Sequence, residues 1–278
     1  MKRRHLYLFI CTFSIMGCVE GLMEYKLSYD GDKIVIVGML SDKGEGKILI
    51  RKSLHPQNPE GNDTLYNATV EMYENGNQYT SLVESGTGNF FLPEGVTLVP
   101  GNYYHLVANG GNLPRAETTP QLLYPPVCFD TAYFETRYAK YCFTDPADTT
   151  NYYTVMMREF FLGEDITDYE HRMEFINPYG LFTDAKYNED ICYYNDINKL
   201  IERDRDSPNY GLQATDSAVL KLFNLSEGIY LYSESVQDYE FTRGDPLFDL
   251  TPIYTNVNGG FGVFGVYSTC EYGFRINM

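Results

Sequence analysis

The sequence predicts a mainly β chain: an N-terminal immunoglobulin-like β-sandwich, then a second β-rich domain with one helix and an irregular insertion. Three observations predict this. Short β-branched and aromatic runs recur between Gly, Pro and Asn turn signals at intervals of roughly 8–12 residues. Only the segment from Ser226 to Arg243 combines a helical period with signals at both ends. Hydrophobic residues make up 44% of the 278, with 26 Tyr and 17 Phe, which is enough for real cores and too much for a disordered chain.

The N-terminus reads as an address. Lys2, Arg3 and Arg4 form a basic head, and Leu6 to Met16 is an apolar run broken only by Thr12 and Ser14. That run is shorter than the ~20 residues needed to cross a bilayer and matches the apolar core of a signal peptide. It ends in Ile15-Met16-Gly17-Cys18, which resembles a bacterial lipobox. Residues 1–17 are therefore expected to be a lipoprotein signal peptide, with Cys18 the lipidated residue. An ordinary secretory signal beside an incidental Cys is the other reading. No other stretch approaches a membrane-spanning length.

Residues 18–32 read as a tether and 33–120 as the sandwich. Ile34 to Val37 and Ile48 to Ile50 are β-branched or aliphatic runs. Ala68-Thr69-Val70-Glu71-Met72-Tyr73 alternates, placing Ala68, Val70 and Met72 on one face. Asn75-Gly76-Asn77 turns the chain, Tyr79 to Glu84 returns, Gly86 to Gly88 turns again, and Asn89 to Leu92 follows. Tyr103 to Ala108 is the next strand. From Asn112 the chain carries Pro114, Pro120, Pro125 and Pro126, and reads as an extended connector.

Residues 121–278 read as the second domain. Phe129 to Arg137 and Tyr141 to Thr144 form a hairpin with its turn near Tyr138-Ala139, and Tyr152 to Phe161 is an aromatic strand. Residues 163–211 are polar and irregular, an insertion with one short helix expected over Asn195 to Arg203. Ala218 to Leu225 resumes as a strand. Ser226 is placed to cap the following helix, with Glu227 in its first turn and Ile229, Tyr232, Val236 and Tyr239 on one face. Arg243-Gly244 and Asp245-Pro246 stop it. The tail from Ile253 to Ile276 is glycine-rich with aromatic and β-branched residues between.

Charge and motifs exclude more than they assign. There are 21 basic against 38 acidic residues, a net charge of −17, which argues against nucleic-acid binding. Gly260-Phe261-Gly262-Val263-Phe264-Gly265 fits GxGxxG formally. Asn256-Val257-Asn258-Gly259 stands where a strand should precede it, so close-packed β backbone is expected instead of a dinucleotide site. His55, His105 and His171 are scattered without metal-ligand spacing, and no nucleophile elbow, phosphate loop or calcium loop is present, so no cofactor, metal or catalytic residue is expected. Asp30-Gly31-Asp32 and Asp204-Arg205-Asp206 read as solvated loops. Glu164-Asp165, Asp168 and Glu170 have only a weak claim as a glycosidase-like acid pair.

Setting aside Cys11 and Cys18 leaves Cys128, Cys142, Cys192 and Cys270, and export permits disulfides in any of three connectivities. The hairpin disfavours a Cys128–Cys142 bridge, because Cys142 is expected opposite about Glu135, over 20 Å along the strand from Cys128. Free buried thiols are the other possibility. Asp63-Thr64-Leu65, Asp130-Thr131-Ala132, Asp148-Thr149-Thr150 and Asp216-Ser217-Ala218 each resemble the O-glycosylation acceptor of the Bacteroidota, giving candidates Thr64, Thr149, Ser217 and, least favoured, Thr131. Common turn chemistry explains the same pairs.

Several of these stretches, taken in order, resemble a large family of Bacteroidota envelope lipoproteins labelled domain of unknown function 4249. They are the lipobox at Cys18, Val37-Gly38, Asn67-Ala68-Thr69-Val70, the proline connector, and Asp145-Pro146 with Asn151-Tyr152-Tyr153. Above all they include Asp245-Pro246-Leu247-Phe248, then Ile253-Tyr254-Thr255-Asn256-Val257, then Gly259 to Gly265. The first domain also looks like the prealbumin-like module found beside outer-membrane transporters. The resemblance implies an outer-membrane lipoprotein associated with TonB-dependent receptors, with no established reaction. The expected function is a non-catalytic, lipid-anchored envelope protein that captures a ligand or partners such a transporter. A surface adhesin and a hydrolase with dispersed catalytic residues are the alternatives.

Overall fold

The computed structural model describes residues 29, 31–55, 58, 60–135, 138–147, 149–161, 164–165, 180–184, 197–198, 217–243 and 251–275. The expected signal peptide, Cys18 and most of the expected tether therefore lie outside the described residues. The chain is mainly β. Its first part contributes β1 (Ile34–Ser41), β2 (Gly46–Lys52), β3 (Thr69–Glu74), β4 (Asn77–Ser81), β5 (Val83–Glu84), β6 (Asn89–Phe91), β7 (Tyr103–Asn109), β8 (Ala116–Thr118) and β9 (Gln121–Leu122). The β3–β4 hairpin pairs Glu74 with Asn77, and Asn75 and Gly76 between them both take positive φ (49° and 81°), as a tight two-residue turn needs. Strand alternation sends Ile34, Ile36, Ile48 and Ile50 from one sheet, and Val70, Met72, Leu106 and Ala108 from the other, into one core. The expected Ala68, Val70, Met72 face is the buried one. The proline connector is more ordered than expected: β8 and β9 both pair with β7.

The later part contributes β10 (Phe129–Glu135), β11 (Tyr138–Phe143), β12 (Tyr152–Phe161), β13 (Glu164–Asp165), β14 (Leu181–Thr183), β15 (Ile197–Asn198), β16 (Ser217–Leu225), helix α1 (Glu227–Thr242), β17 (Val257–Asn258) and β18 (Gly260–Arg275). The 16-residue β18 ties the molecule together. Its first half runs parallel to β1, from Ile34 opposite Gly260 to Ser41 opposite Tyr267. Its second half runs antiparallel to β16, from Leu225 opposite Tyr267 to Ser217 opposite Arg275. The result is one nine-stranded sheet, β13-β12-β16-β18-β1-β2-β6-β5 with β14 beside β12. Val257, Phe264 and Val266 complete the first core, and β17 pairs with β8 in the second sandwich sheet. Strands from both sides of residue 120 thus share this sheet.

The GxGxxG stretch lies within β18. A Cβ on Gly262, whose φ is 103°, would stand 2.1 Å from the Ile36 carbonyl oxygen. The glycine is there because two backbones approach closely, not because a phosphate does.

Side-chain alternation in β12 and β16 splits the shared sheet into two covered faces. Tyr153, Leu220 and Leu222 pack against Val127, Phe129, Tyr141 and Phe143 of the β10-β11-β15 layer. Tyr152, Phe223 and Leu225 point the other way, toward Ile229 of α1. Cys128 and Cys270 are bridged, with Cα atoms 5.1 Å apart, which pins the start of β10 to β18. Cys142 is disulfide-bonded as well, and its partner lies outside the described residues.

Three local expectations change. The hairpin reverses before Tyr138, since Glu135 pairs with Tyr138, so Cys142 faces Thr131 and not Glu135. It is still about 10 Å along the strand from Cys128. Within the segment expected to be helical, Ile197 and Asn198 form β15 on β11, whose open edge offers backbone partners that an isolated short helix lacks. Finally, Ser226 occupies the N-cap position of α1 without capping it. Its hydroxyl accepts the Val266 N–H of β18 at 3.1 Å, and the Gln121 side chain caps the helix instead, taking the Gly228 N–H at 2.9 Å.

That exchange belongs to a larger device. Along the first half of β18, the edge that β16 does not reach is closed by single residues in place of a strand. The Ser226 N–H donates to the Val266 carbonyl at 2.9 Å. The Asn256 amide takes both backbone groups of Phe264, at 2.7 and 3.0 Å, and the Thr255 hydroxyl donates to the Gly262 carbonyl at 2.7 Å. Buried backbone polar groups are thus satisfied without another strand. Among the described residues, no helix is long and apolar enough to cross a membrane.

Candidate functional site

Tyr152 and Tyr153 are adjacent in β12 and therefore serve opposite faces of the sheet. Tyr152 rises toward the first turn of α1. Its hydroxyl donates to Glu227 Oε1 at 3.3 Å, and its ring lies 4.8 Å from that of Tyr230 and 6.4 Å, edge-on, from that of Tyr124. Tyr124 comes from the connector after β9, and Tyr254 from the stretch before β17. Burial raises the phenol pKa of Tyr124, Tyr152 and Tyr254, and the Glu227 carboxylate raises each further. Asp184 adds to the effect at Tyr124 and Tyr152. Glu227 itself sits in the first turn of α1, where the helix dipole favours its charge.

Tyr153 enters a buried polar network below. Its hydroxyl donates to Asp145 Oδ1 in a short contact. Burial pushes the Asp145 carboxyl up to about 6; the Tyr153 bond opposes this, and the neighbouring Asp184 carboxyl adds to it. Asp184 is 8% exposed and accepts the Asn151 N–H at 3.0 Å. Asn151 Nδ2 donates to the Thr149 carbonyl at 2.9 Å, and Asn224 Nδ2 donates to Asn151 Oδ1 at 3.2 Å and to the Pro125 carbonyl at 3.0 Å. The Asp145 carboxyl can therefore hold a proton in mildly acidic solution. A separate hollow of about 650 Å³ lies along the outer half of α1, beside Glu234, Gln237, Asp238, Glu240 and Phe241.

The residues singled out in the sequence are not gathered here. Cys18, Cys192, Asp168, Glu170, His171 and the Asp204-Arg205-Asp206 run lie outside the described residues, and Glu164-Asp165 forms β13. Thr64 sits in the loop after β2, its N–H bonded to Asn62 Oδ1 at 2.9 Å. Thr149 is exposed, with its hydroxyl accepting from Asn151 Nδ2 at 3.2 Å, while Thr131 and Ser217 are strand residues. His55 packs on Tyr29, and His105 is buried against Tyr73 at 4.8 Å, its pKa lowered by that burial. Asp32 pairs with Lys52 at 3.3 Å. Among the described residues no three His, Cys, Asp or Glu side chains are grouped to hold a metal.

Sequence reasoning missed Tyr124, Asp184 and the role of Glu227 beyond its helix turn. The visible signal was the Asn151-Tyr152-Tyr153 run, which places one ring on each side of the junction. Among curated proteins none matches this chain. A family model matches residues 22–272, the span that contains both sandwich sheets, α1 and the whole junction, and the chain belongs to that family, described as Domain of unknown function (DUF4249).

Proposed function

We propose that this protein is a non-catalytic, lipid-anchored lipoprotein of the outer membrane that captures a ligand for a TonB-dependent transporter or partners one directly. The observation that carries the reading is the tyrosine surface around Glu227. Tyrosine supplies large contact area and a polar tip at little conformational cost. Here Tyr152 packs against a core of Phe223, Leu225, Ile229 and Tyr267, and Tyr124 and Tyr230 pack on Tyr152. The lipobox at Cys18 supports the anchor. Mild solubilisation of the native envelope and affinity purification test the reading: an outer-membrane barrel should accompany the protein. Repeated recovery of the protein alone counts against it. Properly cleaved Cys18→Ala protein should leave the membrane fraction, and its retention there would reveal another anchor.

The Asp145–Asp184 pair favours one second reading, an envelope hydrolase that uses a raised carboxyl as its acid. Hydrolysis of envelope polysaccharide or peptide that disappears in Asp145→Asn would support it. Both carboxyls are already engaged by Tyr153 and Asn151, which weighs against the pair's use on a substrate.

A further inference from the structure

The surface around Glu227 has a definite chemical preference. Glu227 is exposed, and its hydrogen bond comes from Tyr152. Tyr124, Tyr152 and Tyr230 form a continuous row beside it, with Tyr152 in contact with both others. The helix N-terminus contributes a fractional positive charge of about +0.5, which offsets only part of a carboxylate's charge. Asp184 adds a second carboxyl to the field at Tyr124 and Tyr152. Aromatic faces carry negative quadrupole potential, so rings and carboxylate favour the same sign of ligand. The whole chain carries −17, which draws cations toward the surface and repels anions. A neutral sugar could stack on the rings but would gain nothing from this field.

We propose that Glu227 with Tyr124, Tyr152 and Tyr230 forms a binding site for an organic cation, an ammonium or guanidinium group set against the carboxylate and the ring row. The cation is either a free small molecule or a basic side chain of a protein partner. The assignment rests on the ligand-capture reading above and names the ligand class.

Calorimetric titration of the full-length protein in mild detergent tests it. The probes are arginine methyl ester, lysine methyl ester and choline for the free source, a hexalysine peptide for the partner-borne source, and a neutral maltooligosaccharide for the opposing class. At least one cation should bind with Kd below about 1 mM, more weakly as salt rises. Glu227→Gln, an exposed and nearly isosteric change, should weaken that binding about tenfold while leaving the melting temperature in place. Tyr230→Leu should also weaken it through loss of the ring. Binding of the peptide alone, with the same loss in Glu227→Gln, supports the site and assigns it to a polypeptide partner. Equal binding to Glu227→Gln, binding of the oligosaccharide in preference to every cation, or binding of no probe overturns it. Oligosaccharide binding would leave ligand capture standing, whereas recovery of a barrel without any probe binding would leave only the partnering role.

Discussion

Gly265 offers the sharpest test of how α1 is seated on the shared sheet. A Cβ there would lie 2.1 Å from Ile229 Cγ1, 2.4 Å from its Cδ1 and 2.8 Å from Ser226 Oγ. Carbon atoms rest at about 3.5–4.0 Å, so Gly265→Ala demands a displacement of roughly 1.5 Å. Neither side yields readily. Ile229 is β-branched and stiff at χ1 within a helix. The first turn of α1 is held by Ser226 N–H to Val266 O at 2.9 Å, Val266 N–H to Ser226 Oγ at 3.1 Å and Gly228 N–H to Gln121 Oε1 at 2.9 Å. The expected cost is that of overpacking, about 2–3 kcal/mol. At roughly 2–4 °C per kcal/mol for a chain of this size, melting falls by about 4–12 °C, read by far-UV circular dichroism. Ile229→Ala removes the two closest atoms and leaves Ser226 Oγ, at its own cost of about 2–5 kcal/mol. If the clash with Ile229 is the main cause, Gly265→Ala should cost much less in the Ile229→Ala background than in the parent, with only the approach to Ser226 Oγ remaining. A melting temperature unchanged in Gly265→Ala, or a double variant showing the sum of both losses, would refute the reasoning.

Asn256→Ala strips both backbone groups of the fully buried Phe264 of their partners, so a loss of about 2–5 kcal/mol by urea unfolding is expected, and a loss typical of an exposed residue would exclude the strand-surrogate role. Breaking the Cys128–Cys270 bridge in a Cys128→Ser/Cys270→Ser variant opens a loop spanning 142 residues in sequence. It should lower stability by about 2–5 kcal/mol, whereas an unchanged urea midpoint would mean the bridge does not constrain the unfolded chain. Asp145 titrates near 6 when folded, above its ordinary value of 3.8, so the folded state holds this proton more tightly than the unfolded chain. The stability it contributes is full below about pH 4 and is lost as pH rises through about 6. Asp145→Asn should therefore gain melting temperature on the parent across that window, and parallel pH profiles for the two proteins would show that Asp145 is not the group responsible.

Strand positions were legible wherever one periodicity governed a segment. Tyr152 to Phe161 follows from its aromatic content, the Ala68, Val70, Met72 face from alternation, and Asn75-Gly76 from the positive φ its turn requires. The turn near residue 138 was misplaced because β10 and β11 carry aromatic residues throughout, which blurs the alternation that sets register. The segment at Ile197 was misread because its structure comes from pairing with β11, and no local pattern records that edge. The candidate site was the least legible. Tyr124, Asp184, Tyr152 and Glu227 come from four separate segments, and among 26 Tyr and 38 acidic residues nothing local distinguishes them.

The residues that carry the resemblance divide by physical task. Thr255 and Asn256 close the edge of β18, Gly262 lets β18 approach β1, and Gly265 admits Ile229. All of that is fold construction. Asp145, Asn151 and Tyr153 lock the start of β12 to β14, to the Pro125 region through Asn224, and to each other's polar groups. Tyr152, between Asn151 and Tyr153, is the member of that run whose hydroxyl reaches across to α1. A rigid polar lock beneath a ring and a carboxylate is what a pre-organised binding surface requires, because side chains already fixed lose little freedom when a ligand arrives. The same lock gives a way to separate support from contact. Asn151→Ala should loosen the ring row and weaken any ligand through disorder, leaving salt dependence as it was. Glu227→Gln should weaken the ligand and flatten its salt dependence together.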